Sequence, residues 1–296
     1  LMLVAGQEVS ILALLALGVV VGLVAGLFGI GGGFILTPLL SVVFDIPLPI
    51  AIGSGLCQMV GTAVVAFLKH RKLGQGEPRV DFLMLAGALL GVSAGARTVA
   101  ALERLGDVAF GANRIPVSTL VLYLSYIVFL LGAALSLMRR GSASIEALSQ
   151  VRRGPLARIG LPPYVDFPRL PLARVSAVVV AYIGLGLGFL SGLLGVGGGV
   201  ALLPILLYGF GFPIKQAAGT GILVLITTSV SGTFAHAMLG NVHLPLSLTL
   251  LAGASVSAQV GALATHRLPD RVLRWGLASL ILSTALALIW TLARRL

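Results

Sequence analysis

Gly26-Leu-Phe-Gly-Ile-Gly-Gly-Gly33 returns 166 positions later as Gly192-Leu-Leu-Gly-Val-Gly-Gly-Gly199. The offset continues without a gap: Pro38 pairs with Pro204, Pro47 with Pro213, Gly53-Ser54-Gly55 with Gly219-Thr220-Gly221, Thr62 with Thr228, His70 with His236 and Gly74 with Gly240. Between Gly26 and Gly74, 19 of 49 positions are identical. A fixed period over such a length marks a duplicated structural unit.

On either side of these glycines the chain carries no charge. Between Glu8 and Asp45 there are 36 residues without Lys, Arg, Asp or Glu, and between Arg174 and Lys215 there are 40. One helical crossing of a bilayer needs about 20 apolar residues, so each run crosses and turns back. Of the 296 residues, 58% are hydrophobic and 10% charged, against about 25% charged in a soluble domain. The fold class is an all-α polytopic membrane protein. The N-terminus has no basic region and no A-x-A site, so the apolar stretch from Ser10 reads as a first span and not as a removable signal.

The apolar runs divide each copy into five helical segments. In the first they cover 10–28, 33–44, 50–68, 81–100 and 116–138; in the second, 174–194, 199–210, 216–237, 245–265 and 272–293. The second segment of each copy, with about twelve residues, makes about 18 Å of helix against a hydrocarbon core of about 30 Å. It is a half-helix. Three parts follow: a first membrane repeat over 1–138, a basic Arg- and Pro-rich cytoplasmic linker over 139–173, and a second membrane repeat over 174–296.

The net charge of +11 raises the question of nucleic acid, but more than half of the 20 basic residues lie in Lys69–Arg79 and Arg139–Arg174. Basic loops between apolar spans mark the cytoplasmic side. In the second copy the loop equivalent to the first of these has no Lys or Arg, while the next loop carries Arg267, Arg271 and Arg274. This reversal, with five segments per copy, favours inverted repeats. The alternative is a re-entrant half-helix with four crossings per copy and parallel repeats.

Glycine takes positive φ without steric cost, so the turns at Gly29, Gly31, Gly32 and Gly33, and at Gly195, Gly197, Gly198 and Gly199, can converge several N–H groups on one point. Unpaired N–H groups at a helix start suit an anion, and broken helices at matching places in two repeats point to a transporter site. Close helix packing is the competing reading; it is favoured for Gly18, Gly22, Gly184, Gly186 and Gly188. Ser54, Gln58 and Thr62, spaced by four, share one helix face, with Thr220, Thr227, Thr228 and Ser229 in the second copy. These neutral donors suit an oxyanion; local bonding to the i−4 carbonyl is the equally weighted alternative.

All nine Asp and Glu residues fall in loops or at segment ends, which argues against a carboxylate-based cation or proton site. His70 and His236 are candidates for a proton relay, and His266 a lesser one. Arg97 is read as a snorkelling interfacial residue or a charge at a pore mouth. The single Cys57 excludes an internal disulfide framework and a cysteine metal cluster. There is no H-E-x-x-H, G-x-S-x-G or P-loop, and Phe34 and Val200 stand where G-x-G-x-x-G would need its last glycine. An enzyme is not expected, and neither a cofactor nor a metal is.

The duplicated glycine units, with the G-S-G and A-G-T-G steps that follow them, resemble the TauE/SafE family of sulfite exporters, in the toluene-sulfonate uptake permease group. The likeness spans nearly the whole chain outside 139–174. It implies transport of small sulfur-containing anions, such as sulfite or organosulfonates, in bacterial inner membranes. It also implies a substrate site at the eight turn glycines, with Ser54 and Thr220 matching less distinctively. Without intramembrane carboxylates, export is favoured, by movement of one repeat against the other. Proton-coupled uptake, an anion channel and a membrane scaffold docking partners through its Arg-rich loop are the alternatives.

Overall fold

The computed structural model describes residues 1–28, 31–72, 77–110, 113–139, 154–167, 175–211, 220–265, 268 and 270–295. Among the described residues, ten helices carry the architecture. The first copy contains α1 (Ile11–Phe28), α2 (Gly33–Val43), α3 (Leu48–Lys72), α4 (Pro78–Glu103) and α5 (Val117–Arg139). The second contains α6 (Ala177–Leu194), α7 (Gly199–Pro204), α8 (Ile222–Met238), α9 (Leu244–Thr265) and α10 (Asp270–Arg295). Among the described residues, the antiparallel pair β1–β2 (Met2–Val4, Gln7–Val9) precedes α1, and the pairs β3–β4 (Asp107–Phe110, Asn113–Pro116) and β5–β6 (Tyr164–Val165, Val175–Ser176) lie before α5 and α6.

The offset of the sequence repeat is also the offset of the helices. α1 and α6 begin and end 166 residues apart, as do the starts of α2 and α7, the ends of α3 and α8, and the starts of α4 and α9. Seven helices are long and apolar enough to cross a membrane, while α2 and α8 are shorter. The expected half-helices are there. α2 runs for 11 residues, and α7 for 6 before Pro204, where the chain continues as a π-helical turn over Ile205–Phe210.

The two copies exchange helices. α1 packs along α9, and α4 along α6, so that the first helix of each copy lies against the fourth of the other. Glycine permits this closeness. A Cβ on Gly87, Gly91 or Gly95 of α4 would stand 2.0, 2.1 or 2.4 Å from the carbonyl oxygens of Ala181, Leu185 or Phe189 of α6. On α1, a Cβ at Gly18 would meet Leu250 O at 2.5 Å, and from α9 one at Gly253 would meet Leu15 O at 2.4 Å. With no side chain in the way, backbones come together as they do at small-residue interfaces in membranes. Gly18, Gly22, Gly184 and Gly188 therefore pack helices as expected, but Gly186 faces open space.

Contact registers give the directions. Along α4 and α6, Gly87, Gly91 and Gly95 meet Ala181, Leu185 and Phe189 in ascending order, so the pair is parallel; α1 and α9 are parallel by the same test. Between α3 and α8 the order reverses. Gly53 lies against His236 and Leu56 against Gly232, which makes them antiparallel.

Part of the expected linker is folded against the second repeat. Gly154 N–H donates to Phe210 O, and Ala157 and Phe167 are buried with Leu206 and Phe210. Residues 140–153 and 168–174 lie outside the described residues.

Candidate functional site

The two glycine turns meet. A Cβ on Gly33 would lie 2.5 Å from Gly195 O, so no larger residue fits where the turns cross. Gly31 and Gly32 have φ of 86° and 65°, and Gly195, Gly197 and Gly198 have 68°, 69° and 79°. These left-handed values are costly for any other residue. Gly32 and Gly198 are the N-caps of α2 and α7, and neither helix start has a side-chain cap. At α2 the Gly33 N–H donates to Gly31 O at 2.7 Å and the Ile35 N–H to Gly32 O at 3.1 Å, and at α7 the Leu202 N–H donates to Gly198 O at 2.9 Å; the N–H groups that remain at each start are the ones a helix leaves open. Gly29 lies outside the described residues.

Met59 and Leu225 close the turns from one side. They are repeat mates, 166 residues apart, and both are buried. A Cβ on Gly31 would touch both at 3.1 Å, and one on Gly197 would overlap Met59 Cε at 2.0 Å and Leu225 Cδ1 at 2.6 Å. With Ala63 they form an apolar cluster separate from the main core. An apolar residue facing glycine carries no polar signal, so nothing singled this pair out in the sequence.

The hydroxyls beside the turns are engaged elsewhere. Ser54 Oγ accepts the N–H of His243 at 3.0 Å, and Thr220 Oγ1 that of Glu77 at 3.1 Å. These two bonds are the same bond in the two copies: Ser54 and Thr220 are repeat mates, and so are Glu77 and His243. Each hydroxyl holds the residue just before the fourth helix of the opposite copy. Thr62 and Thr228 donate to the carbonyls of Met59 and Leu225, three residues back, at 3.1 Å each. Gln58 is buried, and its Oε1 has no partner among the described residues.

His236 is buried at the end of α8, with Nε2 2.8 Å from Gly192 O. A carbonyl only accepts, so Nε2 donates; Nδ1 is left without a partner among the described residues. The side chain of His70, and His266 altogether, lie outside the described residues. Arg97 is exposed on α4.

Two acids are buried where the sequence suggested solvated ends. Glu77 and Asp81 are 3% and 4% exposed at the start of α4, and Asp81 Oδ1 accepts Gly221 N–H at 2.6 Å. That bond caps α8, whose N-cap Gly221 has φ of 95°. Both acids do sit at a segment end, but the exchange of helices buries that end inside the protein. Among the described residues no group of three or more His, Cys, Asp or Glu side chains could hold a metal.

Residues 14–288 match the protein family described as Sulfite exporter TauE/SafE. The chain belongs to the TauE/SafE family. Among curated relatives, the probable membrane transporter protein YunE of Bacillus subtilis is 25% identical over 89% of this chain and 92% of its own. A probable membrane transporter protein of Methanocaldococcus jannaschii is 23% identical over 90% and 91%, and YdhB of Bacillus subtilis 26% over 90% and 94%. No solved structure matches the chain. As a TauE/SafE protein with seven candidate spans, the chain is a multi-pass membrane transporter and not an enzyme.

Proposed function

We propose that this TauE/SafE transporter carries small sulfur-containing anions, sulfite or an organosulfonate, out of the cytoplasm across the bacterial inner membrane. The observation that carries the reading is the meeting of Gly33 with Gly195, which joins two helix starts that lack side-chain caps. Gly31 and Gly32, with Gly197, Gly198 and Gly199, offer N–H donors to the anion, while Gly33 and Gly195, whose N–H groups bond Gly31 O and Ser191 O, shape the crossing of the turns. An inside-negative potential drives an anion outward with about 2.3 kcal/mol per charge per 100 mV, so export needs no separate coupling ion.

The repeats are inverted in this reading. Its support is the antiparallel packing of the repeat mates α3 and α8, because a two-fold axis along the helices would make them parallel. The moving units are not the sequence repeats, which interlock. They are α1, α3 and α9 against α4, α6 and α8, with Met59 and Leu225 as the closure between them.

The test is a binding screen of purified protein against sulfite, sulfate, sulfoacetate, thiosulfate and taurine. Saturable binding of a sulfur oxyanion, lost in Gly198→Leu with the fold intact, is expected. Binding that survives this change removes the turns from the site.

A further inference from the structure

Several polar side chains around the second glycine turn are buried without partners among the described residues: Thr37 Oγ1, Ser191 Oγ and His236 Nδ1, all 0% exposed, and Asn241 Nδ2. Each is tied to one short stretch of backbone. Ser191 lies one turn before Gly195, and its main-chain carbonyl accepts the Gly195 N–H at 2.8 Å. Thr37 Oγ1 stands 3.2 Å from where a Cβ on Gly195 would be and 3.3 Å from one on Gly55. It lies within hydrogen-bonding reach of the Tyr126 hydroxyl, which donates to Leu194 O. His236 bonds Gly192, and Gly53 packs on both His236 and Asn241.

This collection breaks the symmetry of the molecule. The repeat mate of Ser191 is Ala25, that of Thr37 is Leu203, and that of the neighbouring Gln58 is Val224. Leaving a buried hydroxyl or ring nitrogen unpaired costs about 1–3 kcal/mol each, so several together point to a ligand that pairs them. Thr37 and Ser191 have apolar mates in the other copy whereas His236 has His70, so it is the hydroxyls that confine the set to one copy.

The chemistry of the donors narrows the ligand. Hydroxyls donate to oxyanion oxygens. His236 Nδ1, with Nε2 committed to a carbonyl, offers a lone pair and calls for a proton. We infer that Thr37, Ser191 and His236 bind a small oxyanion together with one proton, shared between an anion oxygen and Nδ1. This rests on the anion reading above and sharpens it: the carried species is a singly protonated oxyanion.

No described charged side chain competes for that proton. α6 has none, Arg97 of α4 is exposed, and Glu77 and Asp81 lie at the opposite end of α8, by Gly221. His243 turns its Nδ1 to the N–H of Leu246.

His236→Gln keeps a donor toward Gly192 O and puts an amide oxygen, which accepts but takes up no proton, in place of the basic Nδ1. Calorimetry in buffers of different ionisation enthalpy counts protons taken up with sulfite at alkaline pH, with methanesulfonate as a probe that has no site for a proton. Wild-type protein is expected to take up a proton with each sulfite and none with methanesulfonate. His236→Gln should abolish the uptake and weaken sulfite by about tenfold, the worth of a charge-assisted hydrogen bond, leaving methanesulfonate unchanged. Ser191→Ala should weaken both probes by about fivefold at an unchanged Tm, since the hydroxyl has no partner among the described residues to lose. Binding of both anions by wild-type without proton uptake, or uptake that persists in His236→Gln, overturns the assignment alone. A wild-type protein that binds neither overturns the anion reading with it.

Discussion

Ser54 Oγ accepts the backbone N–H of His243 from 189 positions along the chain, and Thr220 repeats the contact with Glu77. A hydroxyl in this role ties the third helix of one copy to the fourth of the other. Ser54→Ala and Thr220→Ala should each lower stability by about 1 kcal/mol, as loss of a helix-cap bond does, while Thr220→Ser restores it. Thermal melting measures this directly. Anion affinity measured on the same variants separates the cap from substrate contact.

Asp81 caps α8 through Gly221. Asp81→Asn keeps an acceptor oxygen, and should preserve folding and flux; Asp81→Ala leaves a buried N–H unpaired and should cost about 1–3 kcal/mol. The comparison needs melting curves and proteoliposome flux. Loss of flux in Asp81→Asn at full stability would give the carboxylate charge itself a part in transport.

The helix exchange rests on glycine. Gly91→Leu, whose first side-chain carbon would stand 2.1 Å from Leu185 O, should prevent α4 from seating on α6. Gly132→Ala and Gly186→Ala point into open space and should be neutral or stabilising by up to about 1 kcal/mol, from helix propensity. Monodispersity on size exclusion distinguishes the outcomes.

Met59→Ala shortens one half of the closure over the turns. It should raise the rate of anion flux while destabilising the fold by about 2–5 kcal/mol, as large-to-small changes in packed interiors do. Efflux from loaded proteoliposomes is the readout, and a slower rate would show that Met59 holds the turns in place and does not block them.

If the repeats are inverted with ten crossings, the start of α1 and the end of α10 both face outward. A tag after Leu296 should then be labelled by an impermeant reagent in intact cells. Labelling only after permeabilisation would indicate parallel repeats.

Most of the helices were legible because lipid demands long apolar runs and the duplication supplies each boundary twice: the expected 174–194 became Ala177–Leu194, and 199–210 became Gly199–Pro204 with its π-turn. What the sequence withheld concerns neighbours. Apolar periodicity says that α1 is lipid-soluble, but not that it seeks α9. The acids looked solvated because Glu77 and Asp81 lie near Lys72 and Arg79, and only the crossing of α4 with α8 buries them. Ser54 and Thr220 were read as substrate donors by their type; the N–H groups they meet belong to distant segments that no local pattern connects to them. The glycine runs were legible as turns, and the meeting of Gly33 with Gly195 was not, since it needs the third dimension.

The pairing of α1 with α9 also governs when this protein can assemble. α1 ends at Phe28 and its partner begins at Leu244. A chain synthesised at roughly 5–20 residues per second thus leaves the first helix on its own in the bilayer for tens of seconds. Its glycine face meanwhile is open to other proteins. Maturation consequently waits until α9 has been synthesised, and a chain truncated before α9 has lost the partner of its first helix.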